Sequence, residues 1–184
     1  MVRGLPGADF KPVAWAQTCN DNIPGLQNRA AALKPEVVTW MSSWETADRI
    51  VDGNNLKFGT RRGDTLLLGL INEAVGRLTA SGARVVFLTI PQATTSSDLP
   101  PPTRAENQTF SHLNALLKRY SRAHSARTSV VDVAKMVCPR LPCPAVVDGV
   151  KPRPHDGRHF SDQGPAWIAP KILDAILAAI RARP

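Results

Sequence analysis

Hydrophobic residues fall along this chain in two alternating patterns: short continuous apolar runs, and longer stretches with apolar positions three or four residues apart. Residues 37–41, Val-Val-Thr-Trp-Met, follow Lys34-Pro35-Glu36 and predict a buried strand starting just past a proline. Residues 85–90, Val-Val-Phe-Leu-Thr-Ile, predict a second buried strand ended by Pro91, and residues 129–133 predict a third. Between the first two runs, Leu67, Leu70, Ile71, Ala74, Val75 and Leu78 make a helical stripe. They predict a helix over 65–80, with Asp64 as its N-cap and Ser81-Gly82 as its stop. Phe110, Leu113, Leu116, Leu117 and Tyr120 predict a second helix within 104–124. A third stripe, Trp167, Ile168, Ile172, Leu173, Ile176, Leu177 and Ile180, predicts a C-terminal helix that Pro170 either kinks or begins. Residues 52–63 read as a polar loop, and residues 138–160 as an irregular Pro/Gly-rich stretch.

Strands alternating with helices at these lengths predict an α/β domain, with a parallel sheet covered by helices on its faces. At 184 residues and 43% hydrophobic content, the chain suits a single domain over 1–184. Three strong strands are few for such a sheet, so the pattern predicts that a first strand and helix are missing or lie upstream. The apolar runs are too short and too interrupted to cross a membrane, and residues 1–11 show no basic segment followed by an apolar one, so no signal peptide is read. Charge adds one question. Lys and Arg number 23 against 15 Asp and Glu, a formal +8 that suits polyanions such as nucleic acid, acidic glycans or membrane surfaces. Yet only Lys118-Arg119, Arg122 and Arg127 approach a stripe, and aromatic residues make up 5%, so a solvated basic face is the better account and no nucleic-acid partner is expected.

Sites in open α/β sheets form beyond the C-terminal ends of strands, which directs attention to the loops after Met41, Ile90 and Val133. The last leads to Asp156-Gly157-Arg158-His159, where a carboxylate can reach one imidazole nitrogen while the other faces a nucleophile. Spacing alone fits an Asp-Gly turn beside a surface histidine better. Cys138 and Cys143 flank a proline-containing segment and can close a small disulfide in an oxidising compartment, or remain thiols in the cytosol; Cys19 reads as a buried free thiol. Cys138, Cys143, His155 and His159 also approach zinc-finger spacing, but Pro152, Pro154 and Gly157 oppose the helix such a site needs across its histidines. His112 and His124 fall in the second helix and suit helix-face or capping roles. Trp40 suits the core, and Trp44 is the tryptophan placed near the site.

Val137-Cys138-Pro139, the run from Cys143 to Val150, and Asp156-Gly157-Arg158-His159-Phe160-Ser161 with Gly164 resemble the closing segment of SGNH hydrolase-like domains, in particular those fused to the C-terminus of membrane acyltransferase-3 proteins. Lys34-Pro35-Glu36-Val37-Val38 followed by Ser42-Ser43-Trp44-Glu45 is similar to that family's central strand and the loop after it, so the resemblance covers about 15–180. It implies a three-layer α/β/α, flavodoxin-like domain lacking its N-terminal block. His159 would be the general base of a Ser-His-Asp triad and Asp156 its orienting partner, with Cys138 and Cys143 the paired cysteines before it. Ser42 and Ser43 would stand at the oxyanion loop, and Trp44 at the substrate. The implied activity is O-acyl transfer or ester hydrolysis on cell-envelope carbohydrate, outside the cytoplasm, with no metal or organic cofactor. Its acyl donor would be relayed by a membrane acyltransferase domain.

Two departures qualify that picture. The family's nucleophile lies in a Gly-Asp-Ser motif after the first strand, and this sequence contains none; Gly63-Asp64-Thr65 is the nearest string, and a helix N-terminus explains it better than a nucleophilic Thr65 does. At the oxyanion loop the usual Gly-x-Asn-Asp is replaced by Ser42-Ser43-Trp44-Glu45. Loss of one such side-chain donor costs on the order of 2.7–4 kcal/mol unless backbone N–H groups or Ser43 compensate; the other reading of Ser42 and Ser43 is a strand-end turn. The competing expectations are a truncated, non-catalytic domain that binds glycan or a partner, and a basic nucleic-acid-binding module.

Overall fold

A computed structural model describes residues 14–181. Three parallel strands, β1 (Val37–Trp40), β4 (Arg84–Leu88) and β5 (Thr128–Val131), form a sheet in the order β1-β4-β5. The connections run through α2 (Arg61–Leu78) and α3 (Arg104–Ala123). Because the strand order advances in one direction across both crossovers, right-handed connection places both helices on one face. There Val85 and Phe87 pack with Leu67, Ile71, Leu113 and Leu116. The alternate residues of the same strand, Val86 and Leu88, face the other way, onto Val133 and Val137 of α4 (Val133–Val137) and Ile168 of α5 (Gly164–Arg181). The result is a helix–sheet–helix sandwich. β4 is covered on both sides, which is why it reads in sequence as an unbroken apolar run. β1 pairs only with β4 among the described residues and leaves its other edge open.

Helix α1 (Ala14–Ala32) packs on α2, with Arg77 Nε donating to Gln27 Oε1 at 2.7 Å. Its pattern is weakly amphipathic and interrupted by Pro24, so the sequence does not announce it. The loop expected over 52–63 contains a small antiparallel hairpin, β2 (Arg49–Val51) and β3 (Asn54–Leu56). Asp52 and Gly53 form its turn with φ of 51° and 73°, the backbone shape for which Asp-Gly is suited. The expected cap at Asp64 is also corrected. Thr60 caps α2 one turn earlier, its hydroxyl accepting from Gly63 N at 3.2 Å, while Asp64 lies within the first turn and accepts from Gly59 N at 3.0 Å. Pro170 does not begin the last helix, which starts at Gly164 with Pro165 in its first turn and runs through Pro170.

Beyond the C-terminal ends of β4 and β5, Asp132 ties three elements together. It accepts from Thr89 Oγ1 at 2.8 Å and from Lys118 Nζ at 2.6 Å, and it caps α4. No helix among the described residues is long and apolar enough to cross a membrane.

Candidate active site

The loop entering α5 crosses the C-terminal end of the sheet and folds on Asp156. One carboxylate oxygen accepts from the backbone N–H groups of Arg158 and His159, both at 2.8 Å; the other meets His159 Nδ1 at 2.5 Å. Burial opposes ionisation of this carboxyl, but those three hydrogen bonds outweigh it and hold Asp156 well below the usual carboxylate range. The ionised carboxylate fixes the imidazole tautomer with its proton on Nδ1. That leaves Nε2 as the basic nitrogen, with no hydrogen-bond partner among the described residues. The His159 side chain is 87% exposed and the Asp156 side chain 26%, so a supported carboxylate presents an open ring.

Two neighbours hold this loop in place. Gly157, at φ 70°, lies against Thr94, whose N–H donates to Gly157 O at 3.1 Å. Arg158 donates through Nε and Nη2 to both oxygens of Glu106 on α3, at 2.6 and 2.8 Å, and through Nη1 to the carbonyl of Asp156 at 2.7 Å.

His159 lines a cleft of about 410 Å³ together with Ser42, Ser43, Trp44, Phe110 and Arg158. The structure therefore brings the loop after β1 and the Asp156–His159 loop to one opening. Ser42 Oγ accepts from Trp44 N at 3.2 Å, while Ser43 begins a 3-10 turn, Trp44–Thr46, without a side-chain cap. The two serines are thus a strand-end turn in local structure and cleft-lining hydroxyls in tertiary structure; neither is hydrogen-bonded to His159. Trp44 is 59% exposed and meets Trp15 edge to face, with ring centroids 5.6 Å apart. Trp40 packs instead against the core and donates Nε1 to the buried Glu45 at 3.0 Å.

Cys138 and Cys143 are joined in a disulfide, and Cys19 is a half-buried free thiol. The zinc-like string has a different use here: its cysteines are bonded to each other, and His155 lies between Asp98 and Asp162 at 3.3 and 3.1 Å. His112 pairs with Asp64 at 2.7 Å, and His124 ends α3, stacked on Tyr120. Thr65 donates to the Arg61 carbonyl within α2, away from the cleft.

Sequence reasoning missed Glu106 and Phe110. Glu106 reads as an ordinary acidic residue in a helix's first turn and Phe110 as one more core position; tertiary placement alone brings each to the site. Compared with protein-family models and with curated proteins, the chain matches none.

Proposed function

We propose that this chain is an SGNH-type domain that moves an acyl group to or from a carbohydrate hydroxyl of the cell envelope, outside the cytoplasm. The observation that carries the reading is the Asp156–His159 pair, an ionised, triply hydrogen-bonded carboxylate on Nδ1 with Nε2 unoccupied at the edge of a cleft. His159 Nε2 takes the proton from an attacking hydroxyl, and Asp156 steadies the imidazolium that results. As the leaving oxygen departs, the same ring returns the proton. Ser43 and the loop after β1 face the carbonyl oxygen, and Trp44 offers an open indole to a sugar ring.

The nucleophilic serine is assigned to a further strand lying against the open edge of β1. A parallel strand there would end beside Met41 and Ser42, at the mouth of the same cleft. The acyl donor would arrive from a membrane acyltransferase domain. The disulfide supports an oxidising compartment. In the chain by itself the dyad activates water, so purified protein is expected to release nitrophenol from p-nitrophenyl acetate above the buffer rate, and His159→Ala to remove that excess. Turnover unchanged in His159→Ala, or no turnover above buffer, overturns this reading.

A second reading, glycan binding without turnover, is favoured by the absence of any hydroxyl bonded to His159 Nε2 among the described residues. It predicts saturable quenching of Trp44 fluorescence by envelope oligosaccharides with no ester cleavage.

A further inference from the structure

Arg153 is a buried charge near the site, at 2% exposure, yet no carboxylate of the described residues lies within ion-pairing distance of it. Its Nη1 donates to the Gln92 carbonyl at 2.7 Å, its Nε has no partner, and its Nη2 points at sulfur, 3.0 Å from Cys143 Sγ and 3.8 Å from Cys138 Sγ. Burial lowers its pKa to about 10, an effect that Asp156 partly opposes at longer range, so the group remains a cation at neutral pH. A buried guanidinium satisfied only by a carbonyl and a disulfide sulfur is an incompletely compensated charge. Reduction of the disulfide would give it the missing anion.

We infer that Cys138–Cys143 is a dithiol-exchange site with a fixed direction, in which Cys138 is attacked and Cys143 leaves as a thiolate held by Arg153. The asymmetry follows from two facts. Cys138 is half-buried and within reach of a partner, whereas Cys143 is 7% exposed and nearer the cation. A leaving thiol with a lowered pKa departs faster, and stabilising the thiolate favours the reduced state.

The step balances with a dithiol as reductant. Its first thiolate bonds to Cys138 Sγ as the Cys138–Cys143 bond breaks, and the electron pair of that bond goes to Cys143. The second thiolate of the dithiol then attacks its own sulfur in the mixed disulfide, releasing Cys138, which takes a proton from solvent. The dithiol is oxidised to its disulfide, and the protein gains two electrons and one proton. This inference does not depend on the acyl-transfer reading.

The test uses the chain with Cys19→Ser, so that two cysteines remain. In the reduced protein, thiolate absorbance should show one group titrating at least one unit below the roughly 8.5 of a free cysteine. Alkylation and mass spectrometry should assign it to Cys143. When the oxidised protein is mixed with glutathione and quenched in acid, the adduct should be on Cys138. Reduction of Arg153→Met by dithiothreitol should be about tenfold slower than that of the parent. Titration of Cys143 at or above the free value, adducts on Cys143, or an unchanged rate in a folded Arg153→Met variant would each overturn the inference. If that variant does not fold, the titration and the adduct position decide the matter on the parent protein.

Discussion

Glu106 and Arg158 meet through two parallel hydrogen bonds, 2.6 and 2.8 Å long, and this pair fastens the first turn of α3 to the loop that carries Asp156 and His159. Both side chains are about a quarter exposed, 26% and 28%, so the pair is neither freely solvated nor fully desolvated. Charge-assisted, bidentate geometry of this kind resists shear in a way that a single contact does not. Glu106→Gln keeps the shape and one acceptor but removes the charge. It is expected to lower unfolding stability by about 1 kcal/mol, read as a shifted urea midpoint with an unchanged slope. A midpoint equal to the parent's would show that the loop is held by other contacts.

Asp156 gives the site a defined response to acid. Its folded-state pKa lies below the value of about 3.9 that governs it in the unfolded chain. A depressed carboxylate contributes stability that is fully present above the unfolded value and is lost as pH falls through the folded one. Asp156→Asn removes that contribution. The stability gap between parent and variant is therefore expected to be present above about pH 4 and to narrow as pH falls below it. Urea titrations at a series of acidic pH values measure the gap directly, and a gap that stays constant into strong acid contradicts the assignment of these hydrogen bonds to the ionised form.

The layers of this fold were legible because β4 lies between two helical layers, and burial on both faces writes itself as an apolar run. The helices α2 and α3 were legible through their stripes, Leu67 to Leu78 and Leu113 to Tyr120. Features set by tertiary fit were not. Asp64 carries the chemistry of a cap as well as Thr60 does; the choice between them is made by Gly63, where an added Cβ would lie 2.0 Å from the Lys57 carbonyl, so that the chain closes its turn there. The hairpin at Asp52-Gly53 did carry a turn signal, but its flanking strands are three residues each, too short for a period-two pattern to stand out. At the site, the Asp-x-x-His string names the dyad, whereas Glu106 and Phe110 come from a segment whose local sequence has no reason to mention His159.

The tightest constraint on the dyad loop is a glycine, and it yields a comparison within one chain. Gly157 and Gly149 share a left-handed backbone, at φ 70° and 77°, so alanine at either position meets the same intrinsic penalty of about 1 kcal/mol. Their surroundings differ. A Cβ on Gly149 meets open space, whereas a Cβ on Gly157 would lie 2.0 Å from the Thr94 carbonyl oxygen. That oxygen has little room to retreat, because Thr94 is 5% exposed, donates its N–H to Gly157 O, and donates its hydroxyl to the Cys143 carbonyl at 2.8 Å. Gly157→Ala must therefore move either the loop after β4 or the loop of Asp156 and His159. It is expected to cost about 3 kcal/mol or more and to abolish His159-dependent ester turnover, while Gly149→Ala costs about 1 kcal/mol and leaves turnover intact. Thermal unfolding of the two variants side by side separates the shared backbone cost from the collision. Equal losses in both would mean that the Thr94 contact does not set the position of the dyad.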